Sequence, residues 1–478
     1  MQILLPLSQA EIFIFPLLTT LYFCFYPYEK PKSADRRRWA QLGMPSTLSQ
    51  PANAVGDAYL QLGCKHSFTC APYLLQSKPG FGENIIWGES NAVVYANSVL
   101  GSRTDKYADY FDICAAIVGK VPEFGVHLKV NRMPTIKIDL TEFINENIKP
   151  LIIEKGEGEI SNDLDAFYPT LGYLCGNLSC GQVPLIVGME QLSDYLTADD
   201  LKAFCAAFGT TGTAPLFHMA GVTPEAADAA SIREMEDNCI GQACCVTKDD
   251  LIQAFRSLDS GSDSCHGRVD LVAFGNPHLS LTECERLTNL VANESRNNAE
   301  NMTKSIESDF TKSRKKHPNV KVMATLGRHV FEEAKCKGYI QKLQDFGIQF
   351  INDTCWCMLI DPPIIPVHES AIIMTNSGKY AHYGPGLTNR QMRFGGMADC
   401  IQAARTGQWN AERVMANSET GPKWLMSRCA SGQQSRGYTT WSLPKVQNET
   451  SLKYTRRLIK RTISYQATGF LRLFLRCI

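Results

Sequence analysis

The sequence lacks an excess of charge of either sign. Lysine and arginine together number 48, aspartate and glutamate together number 48, and the formal net charge is zero. Proteins that bind nucleic acids or anionic surfaces usually carry a basic excess, because contacts with phosphate require Lys and Arg. We therefore expect a small molecule as the binding partner and no nucleic acid.

Two common motifs are also missing. No pair of cysteines has the C-x-x-C spacing of a zinc knuckle, which excludes that class of structural zinc site. The Gly209–Thr213 segment has neither the glycine spacing nor the GK[ST] ending of a Walker loop, so a P-loop nucleotide site is excluded as well. We interpret Gly209–Thr213 as an ordinary tight turn.

The 18 cysteines are too sparse, in a chain of 478 residues, for a scaffold held together by disulfide bonds. Many of them stand inside apolar runs, which is typical of buried thiols in a reducing compartment. The sequence therefore predicts a cytoplasmic protein, with a few cysteines available to bind a metal.

The length predicts two or three domains, and 44% hydrophobic with 20% charged residues is typical of a soluble globular protein. Both ends differ from the middle. Ile12–Tyr28 is almost entirely apolar, but no positive region precedes it as in a signal peptide. We interpret it as a terminus unrelated to the fold; a membrane anchor and a cleaved targeting sequence are the alternatives. The predicted divisions are an atypical N-terminal segment at residues 1–50, a central region at residues 51–415 and a basic tail at residues 416–478.

The middle of the chain alternates strands and helices, which predicts an α/β fold. Val183–Val187 is a short apolar run whose proline suggests an edge strand. Thr197 is a good N-cap for a helix that we expect to end at Gly209. In four further units polar residues follow the end of a strand, where the loops of a parallel sheet converge on a shared site. These strands are Val269–Phe274, Val320–Thr325, Ile348–Asn352 and Ala371–Thr375.

Several residues could carry chemistry. Cys64 and Cys70 lie close together in the sequence, and Cys355 and Cys357 flank a tryptophan directly after a strand. Thiolates bind iron well, but the same cysteines could simply be buried structural thiols. Polar groups in otherwise apolar surroundings could bind substrate or brace a core. The candidates of this second kind are Glu89, Ser90, Asn91, Arg103, Thr104, Asn276, His278, Ser377 and Lys379.

Together, these segments resemble the large-subunit part of the aconitase X family. The resemblance runs in the family's order from about residue 53 to residue 415. It is carried by residues 63–73, 89–93, 97–104, 221–225, 277–280, 353–355 and 376–379.

The resemblance implies an aconitase-like, multi-domain α/β fold whose strand-end loops surround a central metal site. It implies iron or an iron–sulfur cluster held by Cys70 and Cys355, with Cys357 as the candidate third ligand and Cys64 in reserve. One branch of the family has a cysteine where this chain has Asn276. That departure favours the branch of cis-3-hydroxy-L-proline dehydratase over that of mevalonate 5-phosphate dehydratase.

The implied activity is that of a hydro-lyase of hydroxyproline metabolism, which converts cis-3-hydroxy-L-proline into Δ1-pyrroline-2-carboxylate by β-elimination. The resemblance assigns catalytic roles to Lys379, Ser377 and Glu89. It assigns substrate contacts to Ser90, Asn91, Arg103, Thr104, His278 and Asn276. A small swivelling-domain subunit is the expected protein partner, because the family's small domain and about seventy N-terminal residues have no counterpart here. Dehydration of mevalonate 5-phosphate and an inactive iron–sulfur-binding remnant are the alternatives.

Overall fold

The computed structural model describes residues 67–108, 110–155, 164–239, 241, 243–261, 267–300 and 315–409, together with residues 4–6, 50, 54, 57–59 and 64. The chain divides into two units, residues 1–427 and 428–478, and every described residue lies in the first. The apolar run Ile12–Tyr28 and the basic tail at 416–478 lie outside the described residues. No described helix is long and apolar enough to cross a membrane.

The described strands form two parallel sheets and one short antiparallel pair. The larger sheet has the order β11-β10-β7-β8-β9, the smaller sheet has the order β5-β4-β3-β6, and β1 pairs with β2. The strands are β1 Leu4–Pro6, β2 Lys120–Pro122, β3 Ile136–Asp139, β4 Pro184–Val187, β5 His218–Met219, β6 Cys244–Cys245, β7 Leu271–Phe274, β8 Lys321–Leu326, β9 Ile348–Asn352, β10 Ile372–Thr375 and β11 Gln391–Phe394.

Helices surround these sheets, and two of them continue directly through π-helical turns at Ala96–Leu100 and Ile144–Ile148. The α-helices are α1 Ser90–Tyr95, α2 Phe111–Val118, α3 Thr141–Phe143, α4 Lys149–Lys155, α5 Phe167–Leu178, α6 Ala198–Thr211, α7 Ala229–Asn238, α8 Lys248–Leu258, α9 Leu281–Glu300, α10 Arg328–Cys336, α11 Tyr339–Phe346, α12 Gly378–Thr388 and α13 Met397–Thr406.

The four predicted units are confirmed as neighbours in one sheet. Strands β10, β7, β8 and β9 are adjacent and parallel, so the segments that follow them leave the same edge. Buried side chains of this sheet, such as Val272, Val322 and Met374, form one hydrophobic core. A second core lies around α1, α5 and α6. The parallel α/β arrangement is therefore correct as predicted.

The prediction of an edge strand at Val183–Val187 is wrong. Strand β4 lies between β3 and β5 and pairs with both. Pro184 is tolerated there because it is the first residue of the strand, where a missing N–H interrupts the ladder least.

The helix predicted after Thr197 is present, with a reciprocal capping box between Thr197 and Asp200. It continues beyond Gly209 to Thr211, so Gly209–Thr211 is its last turn and not a tight turn. Gly209 is there because of packing: a Cβ atom would lie 3.1 Å from the carbonyl oxygen of Ser90. The absent side chain lets α6 approach α1 closely.

Gly275 directs the chain from β7 towards Asn276, and we predict that Gly275→Ala is strongly destabilising. Gly275 has a φ of 90°, and an added Cβ would lie 2.1 Å from the carbonyl oxygen of Thr325. We expect the free energy of unfolding to fall by about 3 kcal/mol or more, as measured by denaturant titration.

Gly82→Ala is the matched control. Gly82 also has a positive φ, 74°, but an added Cβ meets no atom within 4 Å. We therefore expect Gly82→Ala to lower the free energy of unfolding only by the backbone strain, about 1 kcal/mol. Equal costs at the two glycines would contradict the close contact at Gly275.

Candidate active site

Three thiols from two distant segments meet beside the larger sheet. Cys70 lies before α1, whereas Cys355 and Cys357 follow β9. The thiol of Cys355 interacts electrostatically with those of both Cys70 and Cys357. Cys70 and Cys355 are buried, and Cys357 is half-buried. The structure thus brings together the three thiols that the sequence singled out.

Asn276, which follows β7, connects two of these thiols. The thiol of Cys355 donates to Asn276 Oδ1 at 3.4 Å, and Asn276 Nδ2 donates to the sulfur of Cys357 at 3.5 Å. The third thiol is held from the same loop, because the backbone N–H of His278 donates to Cys70 Sγ at 3.3 Å. The segment after β7 therefore positions all three sulfur atoms.

Burial affects the protonation of the thiols. The hydrogen bond with Cys357 favours the thiolate of Cys355, but the bond with Cys70 and burial outweigh it and raise the pKa of Cys355 well above its usual range. The hydrogen bond with Cys355 and burial likewise raise the pKa of Cys357. Both thiols are protonated at neutral pH in this state, so a metal ion would have to displace their protons.

A buried ion pair lies beside the thiols. Lys379 on the first turn of α12 donates to Glu89 Oε1, and both side chains are almost completely inaccessible to solvent. Burial disfavours the ammonium form, but the carboxylate of Glu89 outweighs it and raises the pKa of Lys379 well above its ordinary value. The site therefore holds a fixed positive charge.

Glu89 is fixed by the start of α1. It is the N-cap residue of that helix, and its Oε2 accepts from the backbone N–H groups of Asn91 at 2.9 Å and Ala92 at 3.2 Å. Asn91 in turn donates to the carbonyl oxygen of Cys70 at 3.0 Å and accepts from the hydroxyl of Tyr73 at 2.7 Å. The N-terminal end of α1 therefore fixes the carboxylate of Glu89 and, through Asn91, the backbone of Cys70.

Comparison with known proteins agrees with this arrangement. Family models for the first, second and third domains of aconitase X match residues 29–130, 148–256 and 299–406, which together span more than half of the chain. The chain belongs to the aconitase X family. This confirms the resemblance inferred from the sequence.

Three similar proteins carry two different names. The chain is 42% identical to the cis-3-hydroxy-L-proline dehydratase of Pseudomonas aeruginosa, over 83% of this chain and 59% of that protein. It is 41% identical to the enzyme of that name from Hypocrea jecorina, over 81% and 58%. It is 29% identical to the phosphomevalonate dehydratase large subunit of Methanothermobacter thermautotrophicus, over 75% of each chain. The chain spans less than two thirds of the length of the first two relatives.

A solved aconitase X structure has the same fold. The holo form of aconitase X from Thermococcus kodakaraensis matches with a TM-score of 0.56 and 26% sequence identity, over 75% of this chain and 78% of that one. This likeness confirms the aconitase-like α/β arrangement predicted from the sequence.

Other candidate residues of this aconitase X chain make bonds that hold the protein framework. His278 has both ring nitrogens engaged: Nε2 donates to the carbonyl oxygen of Thr354 at 2.5 Å, and Nδ1 accepts from the hydroxyl of Thr69 at 3.0 Å. Burial lowers the pKa of His278 to about 4, so the ring is neutral. Ser377 caps α12 by accepting from the N–H of Tyr380 at 3.1 Å, and it donates to the carbonyl oxygen of Asn276.

Arg103 and Thr104 form hydrogen bonds with backbone groups of the protein. Arg103 Nη1 donates to the carbonyl oxygen of His127 at 3.0 Å, and Thr104 Oγ1 accepts from the N–H of Trp87 at 2.9 Å. Cys64, the reserve ligand, is buried next to Asp112, and burial together with that carboxylate raises the pKa of its thiol. Ser90 is half-buried at the first position of α1, beside Glu89.

The Gly221–Glu225 turn, one of the segments that carry the family resemblance, makes contacts that hold the protein framework. Glu225, at the end of the Gly221–Glu225 turn, accepts from Nε and Nη2 of the buried Arg132 at 2.8–2.9 Å. The guanidinium of Arg132 also donates to Asn97 Oδ1 at 3.1 Å. This turn therefore braces the domain.

The sequence interpretation missed two groups at the site. Tyr380, the residue after Lys379, is fully buried, and its phenol interacts electrostatically with Cys357 and Cys355. Lys106 donates to the carbonyl oxygen of Gly212 at 3.0 Å and interacts electrostatically with Glu89. Tyr380 could have been chosen because it directly follows the Ser377–Lys379 segment, whereas no local pattern marks Lys106.

The set of donors fits an iron centre. Three cysteine side chains would supply sulfur ligands of the kind that suit iron. Among the described residues, no three His, Cys, Asp or Glu side chains are already arranged as a metal-coordination shell. Cys355 and Cys357 are protonated in this state, so they must lose their protons before they can coordinate an ion.

Proposed function

We propose that this chain is the iron-binding part of a dehydratase that removes water from cis-3-hydroxy-L-proline to give Δ1-pyrroline-2-carboxylate. The observation that carries the proposal is the meeting of Cys70, Cys355 and Cys357 beside the buried Lys379–Glu89 pair. The substrate is taken from the two relatives of 41–42% identity that bear this name.

The three cysteines would hold iron or an iron–sulfur cluster. When bound, iron supplies a Lewis acid that polarises the leaving hydroxyl group. Asn276 would keep the ligands in place through its side-chain contacts with Cys355 and Cys357. Cysteines of this kind are kept as thiols in reducing surroundings, which supports a cytoplasmic location.

Lys379 would bind the carboxylate of the substrate. Loss of the proton from the carbon next to the carboxylate pushes negative charge onto its oxygens, and a fixed ammonium stabilises that charge. A base takes that proton, and the electron pair of the C–H bond becomes the C=C bond. The hydroxyl on the next carbon leaves with a proton as water, and the enamine isomerises to the cyclic imine. Glu89 holds Lys379 in position and charged.

The other candidates take supporting roles. We assign the substrate carboxylate to Lys379 and not to Arg103, because Arg103 donates to the carbonyl oxygen of His127. Ser90, next to Glu89, would orient a polar group of the substrate. Asn91, Thr104, His278 and Ser377 would keep the surrounding loops in place through the hydrogen bonds they make.

A small swivelling domain would complete the site. The relatives named as large subunits imply a smaller partner subunit, and the chain spans 59% and 58% of the two relatives named as cis-3-hydroxy-L-proline dehydratases. We therefore propose that a small subunit or domain closes over the thiols and the ion pair during turnover.

The test is to purify the full chain without oxygen, assay iron and sulfide, and offer cis-3-hydroxy-L-proline. The assay is run alone and with the part of the Pseudomonas aeruginosa relative that lies outside the matched region. We expect bound iron and a product lighter than the substrate by one water, with mevalonate 5-phosphate unchanged. Turnover of mevalonate 5-phosphate alone would reassign the substrate, and bound iron without any turnover would identify an inactive iron-binding chain.

A further inference from the structure

The hydroxyl group of Tyr380 is buried without a hydrogen-bond partner among the residues that the structure describes. The whole residue is inaccessible to solvent. Its neighbour in sequence, Lys379, has a strong partner in Glu89, and its own backbone N–H is bonded to Ser377. A buried hydroxyl without a partner destabilises a fold, so such a group in a native protein calls for an explanation.

The position of Tyr380 supplies that explanation. Its ring packs against the indole of Trp356 with 5.3 Å between centroids, and the indole N–H is fixed by the carbonyl oxygen of Phe274 at 2.6 Å. Trp356 stands between Cys355 and Cys357 in the sequence, and both thiols interact electrostatically with the phenol. The ring is thus held by packing against the tryptophan that separates two of the three thiols in the sequence.

We infer that the hydroxyl of Tyr380 donates a hydrogen bond to a sulfur atom of the bound iron centre. The inference rests on the proposed function, because it requires iron at the three cysteines. Sulfur in an iron centre carries more negative charge than a protonated thiol and is the better acceptor, so the partner is gained when the centre is loaded. Tyr380 is then a positioning residue, and outer contacts of this kind typically change metal affinity by about 10–100-fold.

The test compares Tyr380→Phe with Tyr168→Phe in the full chain. Both changes remove a hydroxyl from a buried ring, but the phenol of Tyr168 interacts with Asp200 and not with the thiols. In Tyr380→Phe we expect a chelator to remove iron about tenfold faster or more than from the wild type. The thiolate-to-iron absorption band should move to longer wavelength, because a sulfur without its hydrogen bond releases charge more easily. Tyr168→Phe should match the wild type in both measurements.

Thermal unfolding separates this role from a general structural one. Without iron, Tyr380→Phe should unfold at the wild-type temperature or above it, because it loses a hydroxyl that has no partner in that state. Equal iron loss from Tyr380→Phe and wild type would overturn the inference while leaving the proposed function intact. A higher KM for cis-3-hydroxy-L-proline with unchanged iron loss would also overturn it, by assigning the hydroxyl to the substrate. Wild-type protein that holds no iron would overturn both.

Discussion

Replacing Cys355 by serine should remove both the iron and the dehydratase activity. Cys355 is the central thiol of the three, since it contacts Cys70, Cys357 and Asn276. Serine is close in size but a poor ligand for iron, because its hydroxyl remains protonated at neutral pH. Loss of a direct ligand should lower iron affinity by more than the roughly 10–100-fold that follows from loss of an outer contact. We therefore expect iron content and kcat/KM to fall by about 100-fold or more, measured by metal analysis and by product formation.

Two control variants show whether the loss of iron is specific to Cys355. Cys400 is buried in the core of the larger sheet, so Cys400→Ser tests the general cost of a serine in an apolar interior. It should keep its iron. Cys64→Ser tests the reserve ligand and should also keep its iron, because Cys64 lies beside Asp112. Normal iron content in Cys355→Ser, or loss of iron in Cys64→Ser, would assign the ligands differently.

Replacing Lys379 by methionine should abolish turnover and destabilise the protein. The change leaves the carboxylate of Glu89 buried opposite an apolar side chain. Breaking a buried ion pair in this way costs about 3–5 kcal/mol of folding free energy. We expect a loss of that size in denaturant titration of the iron-free chain, together with a loss of kcat of about 100-fold or more, because one preorganised charge at the reacting group is removed.

The double variant Lys379→Met with Glu89→Gln separates stability from catalysis. Removing both charges should restore about half or more of the lost stability, because no unpaired charge stays buried. Turnover should remain as low as in Lys379→Met alone. Recovery of activity in the double variant would show that the ammonium is not needed for the reaction, and additive losses of stability would contradict a direct ion pair.

The sequence was sufficient for elements that depend on local patterns. The N-cap at Thr197 correctly marked a helix start, since capping depends only on residues within one turn of the helix. The strand at Ile348–Asn352 was predicted with its correct bounds. The helical stretch after β8 is divided into two helices, α10 and α11, because Gly338 adopts a φ of 77° between them. Glycine in a periodic pattern is a weak signal, so this break was not visible.

Contacts between distant segments could not be predicted from local sequence patterns. Glu89 and Lys379 are 290 positions apart, and nothing near either residue identifies the other as its partner. The edge-strand error at Pro184 has the same origin, because neighbours in a sheet are decided by the whole fold. The three cysteines were grouped through the family resemblance, as their spacing fits buried structural thiols equally well. His278 and Thr104 stood out as polar residues, but only the structure shows that their polar atoms bond to protein groups.

The central claim is that sulfur from Cys70, Cys355 and Cys357 binds iron at one centre. X-ray absorption at the iron edge tests it most directly, because the spectrum reports which elements surround the metal. In wild-type protein purified without oxygen, sulfur should dominate the first coordination shell, and Cys70→Ser should lower the number of sulfur neighbours. Iron surrounded only by oxygen and nitrogen, or a sulfur count unchanged in Cys70→Ser, would contradict the account.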